Sequence, residues 1–317
     1  MSKAGDAAVP DVSVVIPCYN EEMNAGPIAR AVIEQLEPLG ISFDIIFIDN
    51  ASTDGTVGVI KALCAGDQRI RLIANTRNFG QMRSPTHGIY RARGRAVIGM
   101  CADFQDSPEL LPHFVARWQA GVDIVLGVRE AEQSGLVLSA IRGLSYWLAK
   151  NFGDYQTIPH ATGFGLYSRR VVDAIKALNE PEPFYRALLV ETGFPLETIP
   201  YQRPPRAAGK SKNNFFTLLD FAVAGLTSSS KRLLRVPLYL GVVGVLVTLG
   251  LLLGAAVAFV TGRPIAPWLI GAVFQAQVSL MFGFLGLMGD HIRQISERTR
   301  GTPLVLERET VNMPQDV

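Results

Sequence analysis

The sequence predicts an α/β fold: a mostly parallel sheet with helices on both faces, followed by an amphipathic segment and a hairpin of two transmembrane helices. Three observations carry this. Between residues 12 and 201, short runs rich in Val and Ile alternate with longer helical patterns, the rhythm of βαβ units. The short runs are nearly continuous in apolar character, as strands covered on both faces require. Beyond them, 236–260 and 265–288 are almost free of charge, and each would make about 36 Å of helix, enough to cross a bilayer.

In order, strands are expected at 12–18, 43–48, 70–74, 96–101 and 124–127, with helices at 24–39, 56–64, 82–92 and 108–120 between them. Residues 1–11 lack an apolar core of the signal-peptide kind and are expected to be a disordered lead-in. The main domain is set at 12–213, the amphipathic interfacial helix at 214–235, the membrane hairpin at 236–289 and a tail at 290–317. Within that tail, Leu304-Val305-Leu306 could return to the main domain as a short strand.

Composition agrees with a membrane-attached chain. Of 317 residues 48% are hydrophobic, and the excess is confined to the two spans. Lys231, Arg232 and Arg235 precede the first span and Arg293, Arg298 and Arg300 follow the second, while the connecting turn carries only Arg263. This bias places both termini and the main domain on the cytoplasmic side. A pair of buried helices in a soluble core is the alternative. Cys18, Cys64 and Cys101 are scattered, odd in number and without metal-site spacing, which excludes a disulfide framework and a structural zinc site. A net charge of +2 does not suggest a nucleic-acid binder.

Open α/β sheets bind ligands at the carboxyl ends of their strands, and three of these ends are polar. The first carries Pro17-Cys18-Tyr19-Asn20-Glu21, the second Asp49-Asn50-Ala51-Ser52-Thr53-Asp54-Gly55-Thr56, and the fourth Asp103-Phe104-Gln105-Asp106. If the last remains extended, Asp103 and Gln105 point the same way and can face one hard cation. Asp106 reads equally well as a cap of the next helix, with Ser107 as its rival. Ser52, Thr53 and Asp54 fit a turn and helix cap better than a ligand contact. His87, His113, His160 and His291 are scattered and read as structural or solvated.

Val14-Val15-Ile16-Pro17-Cys18-Tyr19-Asn20-Glu21, Ile48-Asp49-Asn50 with Ser52-Thr53-Asp54-Gly55-Thr56, and Ala102-Asp103-Phe104-Gln105-Asp106-Ser107-Pro108-Glu109 together resemble the landmarks of family 2, GT-A fold glycosyltransferases. The most similar branch is the polyprenyl-phosphate glycosyltransferases of the dolichol-phosphate-mannose synthase kind, which carry a membrane hairpin behind the catalytic domain. The resemblance implies transfer of one sugar from a UDP- or GDP-sugar to a polyprenyl phosphate for modification of a cell-envelope glycan. Sugar transfer to a glycan hydroxyl, or an inactive membrane subunit of the same fold, are the alternatives.

By position the resemblance assigns the donor nucleotide to Pro17, Tyr19, Glu21, Asp49, Asn50 and Asp103. It assigns a Mg2+ or Mn2+ ion to Asp103 and Gln105. Asp103, Gln105 and Arg129 become the catalytic set, and Arg203, Arg206, Lys210, Ser211 and Lys212 bind the acceptor phosphate. The chain departs from the family pattern at Asn50, Cys101 and Gly163-Phe164, where relatives carry acids. Nucleotide sugar, polyprenyl phosphate and membrane lipids are the implied partners, and a homo-oligomer is compatible with them. A lipid phosphate with a second pKa near 6 is largely ionised at neutral pH and needs no general base, which suits a chain without an obvious one.

Overall fold

The computed structural model describes residues 9–130, 158, 161–180, 183–202, 301 and 303–314, with separate helical positions between 273 and 299. The predicted hairpin, the 214–235 helix and the basic 203–212 loop lie wholly or largely outside these residues. Among the described residues no helix is long and apolar enough to cross a membrane. The chain divides into two compact units. Met1–Ile141, Thr157–Phe215 and Gly301–Val317 form one; Arg142–Gln156 and Phe216–Arg300 form the other.

The first unit is built on a sheet with strands β1 Val12–Cys18, β2 Phe43–Asp49, β3 Ile70–Asn75, β4 Ala96–Gly99, β5 Ile124–Arg129, β6 Ala161–Ser168, β7 Leu196–Tyr201 and β8 Glu307–Val311. Their order is β7-β5-β6-β4-β1-β2-β3-β8. β1 pairs in parallel with β2 and β4, β2 with β3, and β5 with β7, whereas β6 and β8 run antiparallel to their neighbours. The sheet is therefore mixed, with β6 inserted between the two parallel groups. The helices are α1 Glu22–Leu36, α2 Thr56–Gly66, α3 Gly80–Arg91, α4 Leu111–Gln119, α5 Arg169–Ala177 and α6 Tyr185–Glu191.

Each face of the sheet has its own core. Val12, Val14 and Ile16 point to one side with Ile28 and Val32 of α1, Ile60 of α2 and Phe114 of α4. Val15, Ile46 and Ile48 point to the other with Ile89 of α3 and Val171, Val172 and Ile175 of α5. This two-sided burial explains why these strands read as continuous apolar runs. α1 passes into a short 3₁₀ turn, Glu37–Leu39, and Gly40 ends it at φ 66°, a left-handed cap that glycine enters without a side-chain clash.

The five strands expected in the main domain agree with β1 to β5 within two residues, β6 and β7 were not among those expected, and one difference is informative. β4 stops at Gly99, so residues 100–106 are a loop and the chain is not extended through Asp103. The tail does return to the sheet, but 304–306 are not strand; the strand is β8, which begins at Glu307 and pairs with the β3 edge.

Candidate active site

The parallel strands order 4-1-2-3 puts the switch in connection at β1, and open α/β sheets bind ligands at the loops beside such a switch, here those following β1 and β4. Three loops at this rim share an unusual feature. Asn20 after β1, Ala51 after β2 and Phe104 after β4 have φ of 58°, 61° and 60°. A left-handed turn costs a non-glycine residue about 1–3 kcal/mol, and such turns gather where structure serves a ligand. Ala and Phe give no sequence signal for it.

The first two loops are stitched together. Asn20 donates its backbone N–H to Ser52 Oγ at 2.8 Å and accepts the Thr53 N–H on Oδ1 at 2.8 Å. Glu21 N–H donates to Thr56 Oγ1 at 2.8 Å, and Gly55 N–H to Glu22 at 3.1 Å. Asp54 accepts the Thr56 N–H at 3.0 Å, while Ser52 and Thr53 bond across to Asn20; the N-cap of α2 is Gly55, with no side-chain cap bond, so the expected cap does not form from these three residues. Asp49, fully buried, accepts the Ser52 N–H at 3.1 Å. Tyr19 stays at the surface and Pro17 is half-buried. Beneath them, burial pushes the Cys18 thiol well up, with Glu21, Asp49 and Asp54 adding to it, so it is an inert core group.

Asn50 is the centre of an amide network that the sequence reading missed. Its Oδ1 accepts the Phe79 N–H at 2.9 Å and the Asn75 amide at 3.2 Å; its Nδ2 donates to Asn78 Oδ1 at 2.9 Å and Gly80 O at 3.2 Å. Both ends of the side chain are thus engaged with the loop between β3 and α3. Oδ1, which the resemblance would turn towards the nucleotide, already accepts two bonds from the protein. Three asparagines around one strand end were the available signal.

In the β4 loop Asp103 is buried, and its Oδ1 accepts the Gln105 N–H at 3.2 Å across the Phe104 turn. The two predicted metal ligands are therefore neighbours through this turn rather than through strand alternation. Asp106 does not cap the following 3₁₀ turn, Pro108–Leu110, which has no side-chain cap. It is buried instead, and it accepts the Cys101 N–H at 2.9 Å and the Tyr201 hydroxyl at 3.0 Å, with the Arg129 guanidinium at 3.4 Å. Arg129 Nε donates to Tyr201 Oη at 3.2 Å and closes the triangle. Burial, reinforced by Asp106 and opposed by Arg129, pushes the Tyr201 phenol up to about 12, so it remains a donor at neutral pH.

Tyr201 sits one step from Arg129 across the β5–β7 ladder. A Cβ on Gly127 would come within 2.7 Å of Phe164 and 3.1 Å of Tyr201, so glycine permits this close packing. Phe164, at a position where the resemblance expects an acid, packs edge-on to Phe114 at 4.9 Å and Tyr201 at 5.5 Å, a core role. β7 ends at Tyr201 on the same rim, paired with Arg129 of β5.

Among the described residues, no three His, Cys, Asp or Glu side chains form a metal cage. Asp103 with Gln105 nevertheless suits a hard cation of the Mg2+ type, which takes one or two protein ligands and completes its shell with substrate phosphate and water. The exposed Cys101 thiol is too soft for it.

The mixed sheet, flanked by helices, thus carries polar loops at the β1 and β2 ends and an acidic turn after β4. Residues 13–175 match the Glycosyl transferase family 2 domain, and the chain belongs to that family. A bactoprenol glucosyl transferase derived from the SfII prophage of Shigella flexneri is 33% identical over 301 residues, covering 92% of this chain and 96% of the relative. The uncharacterized glycosyltransferase sll0501 of Synechocystis sp. is 31% identical over 301 residues, covering 93% and 94%. A looser likeness is to the solved mannosyltransferase PcManGT from Pyrobaculum calidifontis, at TM-score 0.45 and 18% identity over 93% of this chain and 87% of that one.

Proposed function

We propose that this chain transfers a single sugar from a nucleotide-sugar donor to the phosphate of a polyprenyl phosphate at the cytoplasmic face of a membrane. The observation that carries the reading is the identity of 33% to a bactoprenol glucosyl transferase across 92% of this chain and 96% of that relative. The rim geometry supports it. Tyr19, Glu21 and Asp49 belong to the loops and strand ends where the donor nucleotide would lie, and Asp103 and Gln105 to the β4 loop, where the diphosphate would leave.

A Mg2+ or Mn2+ ion held by Asp103 and Gln105 together with donor phosphate oxygens would offset charge building up on the departing diphosphate. The lipid phosphate attacks the anomeric carbon as an ionised group, so no side chain has to take a proton. Arg129 is anchored by Asp106 and Tyr201 at the rim, where its charge would favour an anionic reactant. The basic residues Arg203, Arg206, Lys210 and Lys212, with Ser211, follow directly from the rim and would hold the acceptor phosphate.

Membrane attachment through 236–260 and 265–288 is part of the same proposal. Its support is the sequence itself: both segments are almost free of charge and long enough, as helices, to cross a bilayer. The test is a panel of UDP- and GDP-sugars offered to the purified protein with polyprenyl phosphate and Mg2+ or Mn2+. One donor should give glycosyl-phosphoryl-polyprenol, and Asp103→Ala should abolish metal-dependent turnover. Absence of product from every donor would leave a non-catalytic subunit. Unchanged turnover in Asp103→Ala would overturn the metal assignment.

A further inference from the structure

The strand β8 lies beyond residue 300 and yet completes the sheet edge next to the donor side of the rim. It pairs antiparallel with β3, Leu72 opposite Val311 and Ile73 opposite Thr310, and its register slips between Ala74 and Asn75, where β3 gives way to the loop. At that slip the tail grips the loop and the helix after it. Thr76 donates its N–H to Leu306 O at 2.9 Å, and the Arg83 guanidinium donates to Pro303 O at 3.2 Å. Glu307 Oε1 lies 2.7 Å from His87 Nε2 and 3.0 Å from Arg91 Nε, with all three side chains half-buried.

These contacts do more than cover an edge. The 76–80 loop between them is the one that Asn50 holds through Phe79, Asn78 and Gly80, and Asn50 follows Asp49 directly. A continuous set of hydrogen bonds and ion pairs therefore runs from Glu307, through α3 and the loop, to the second strand end. On the opposite flank of β8, Glu309 pairs with Lys61 of α2 at 2.7 Å, an exposed pair that touches neither loop nor α3. One strand thus presents two acidic residues, and of these Glu307 alone contacts the helix that follows the rim loop.

We propose that Glu307 is a positioning residue: by clamping α3 through His87 and Arg91, the returning strand fixes the 76–80 loop against Asn50 and so shapes the nucleotide side of the donor site. The inference rests on the donor-side reading above. A strand that merely shields the β3 edge would stabilise the sheet without distinguishing its two acidic residues.

The experiment uses the full-length protein and the variants Glu307→Ala, Glu307→Gln and Glu309→Ala. Amide exchange at Thr76, Phe79 and Gly80 should quicken about tenfold in Glu307→Ala, the loss expected when a charge-assisted contact is removed from a local structural unit. UDP or GDP, whichever the wild type binds, should dissociate at about tenfold higher concentration, with the lipid-phosphate KM unchanged. Glu307→Gln, which can still accept from His87, should fall between, and Glu309→Ala should match the wild type in both readouts. Unchanged loop exchange in Glu307→Ala, equal effects of the two alanine variants, or faster exchange with unaltered nucleotide affinity would each overturn the proposal. A wild type that binds neither nucleotide would instead bring down the donor-side reading, and loop exchange would then decide the clamp alone.

Discussion

The two flanks of the rim are held by different chemistry. On the β4–β5–β7 flank a buried carboxylate, Asp106, gathers a backbone N–H, a phenol and a guanidinium. On the β2–β3 flank a neutral amide, Asn50, gathers two other asparagines and two backbone groups. A charged hub becomes expensive when one partner is lost, because the remaining charge stays buried. An amide hub loses only hydrogen bonds, but it must match each donor to an acceptor. The charged flank therefore tolerates a change of partner least, and the amide flank tolerates a change of hydrogen-bonding pattern least.

The largest effect should follow Asp106→Ala, which strips Arg129 and Tyr201 of their shared acceptor and orphans the Cys101 N–H. A loss of about 3 kcal/mol in urea unfolding is expected, with Arg129→Ala costing as much or less. Next comes Asn50→Asp, which restores the acid that the family resemblance expects. Its carboxylate cannot donate, so it would face the Gly80 carbonyl and Asn78 Oδ1 as repelling acceptors. A destabilisation of about 2 kcal/mol is expected, and Asn50→Asp stability equal to wild type would remove the contrast between the flanks.

A pH titration sharpens the comparison at the edge of the amide flank. Burial holds the His87 pKa below its usual 6.5, with Arg91 and Lys176 acting the same way and Glu307 opposing them. The unfolded chain therefore binds more protons in this window, and stability falls as pH drops from 6.5 through the lowered folded value. His87→Asn should flatten that segment of the stability profile. The smallest effect is expected for Ala51→Gly, which relieves a left-handed alanine and should raise stability by about 1 kcal/mol in thermal unfolding.

Legibility followed the range of the interactions. β1 was readable residue for residue because its pattern is local and both its faces are buried. The early end of β4 was not, since Phe104 turns left-handed with no glycine or asparagine to announce it. The polar segments that carry Asp49 and Asp103 were legible because they follow apolar strands. The Asp106–Tyr201 pair spans 95 residues and the Arg129–Tyr201 pair 72, and no spacing rule connects such distant positions. The helix cap read at Asp106 was a sound local inference that a long-range charge pair overrode. The clasp of β8 on α3 was half visible as an apolar tail segment, but its partners lie 220 residues away.

The most direct test of the account is mass-spectrometric detection of glycosyl-phosphoryl-polyprenol from purified protein, polyprenyl phosphate, a divalent cation and the donor panel, run beside Asp103→Ala. The account predicts one sugar added per lipid phosphate by the wild type and none by the variant. A product bearing the sugar on a glycan hydroxyl, or equal product from both proteins, would contradict it.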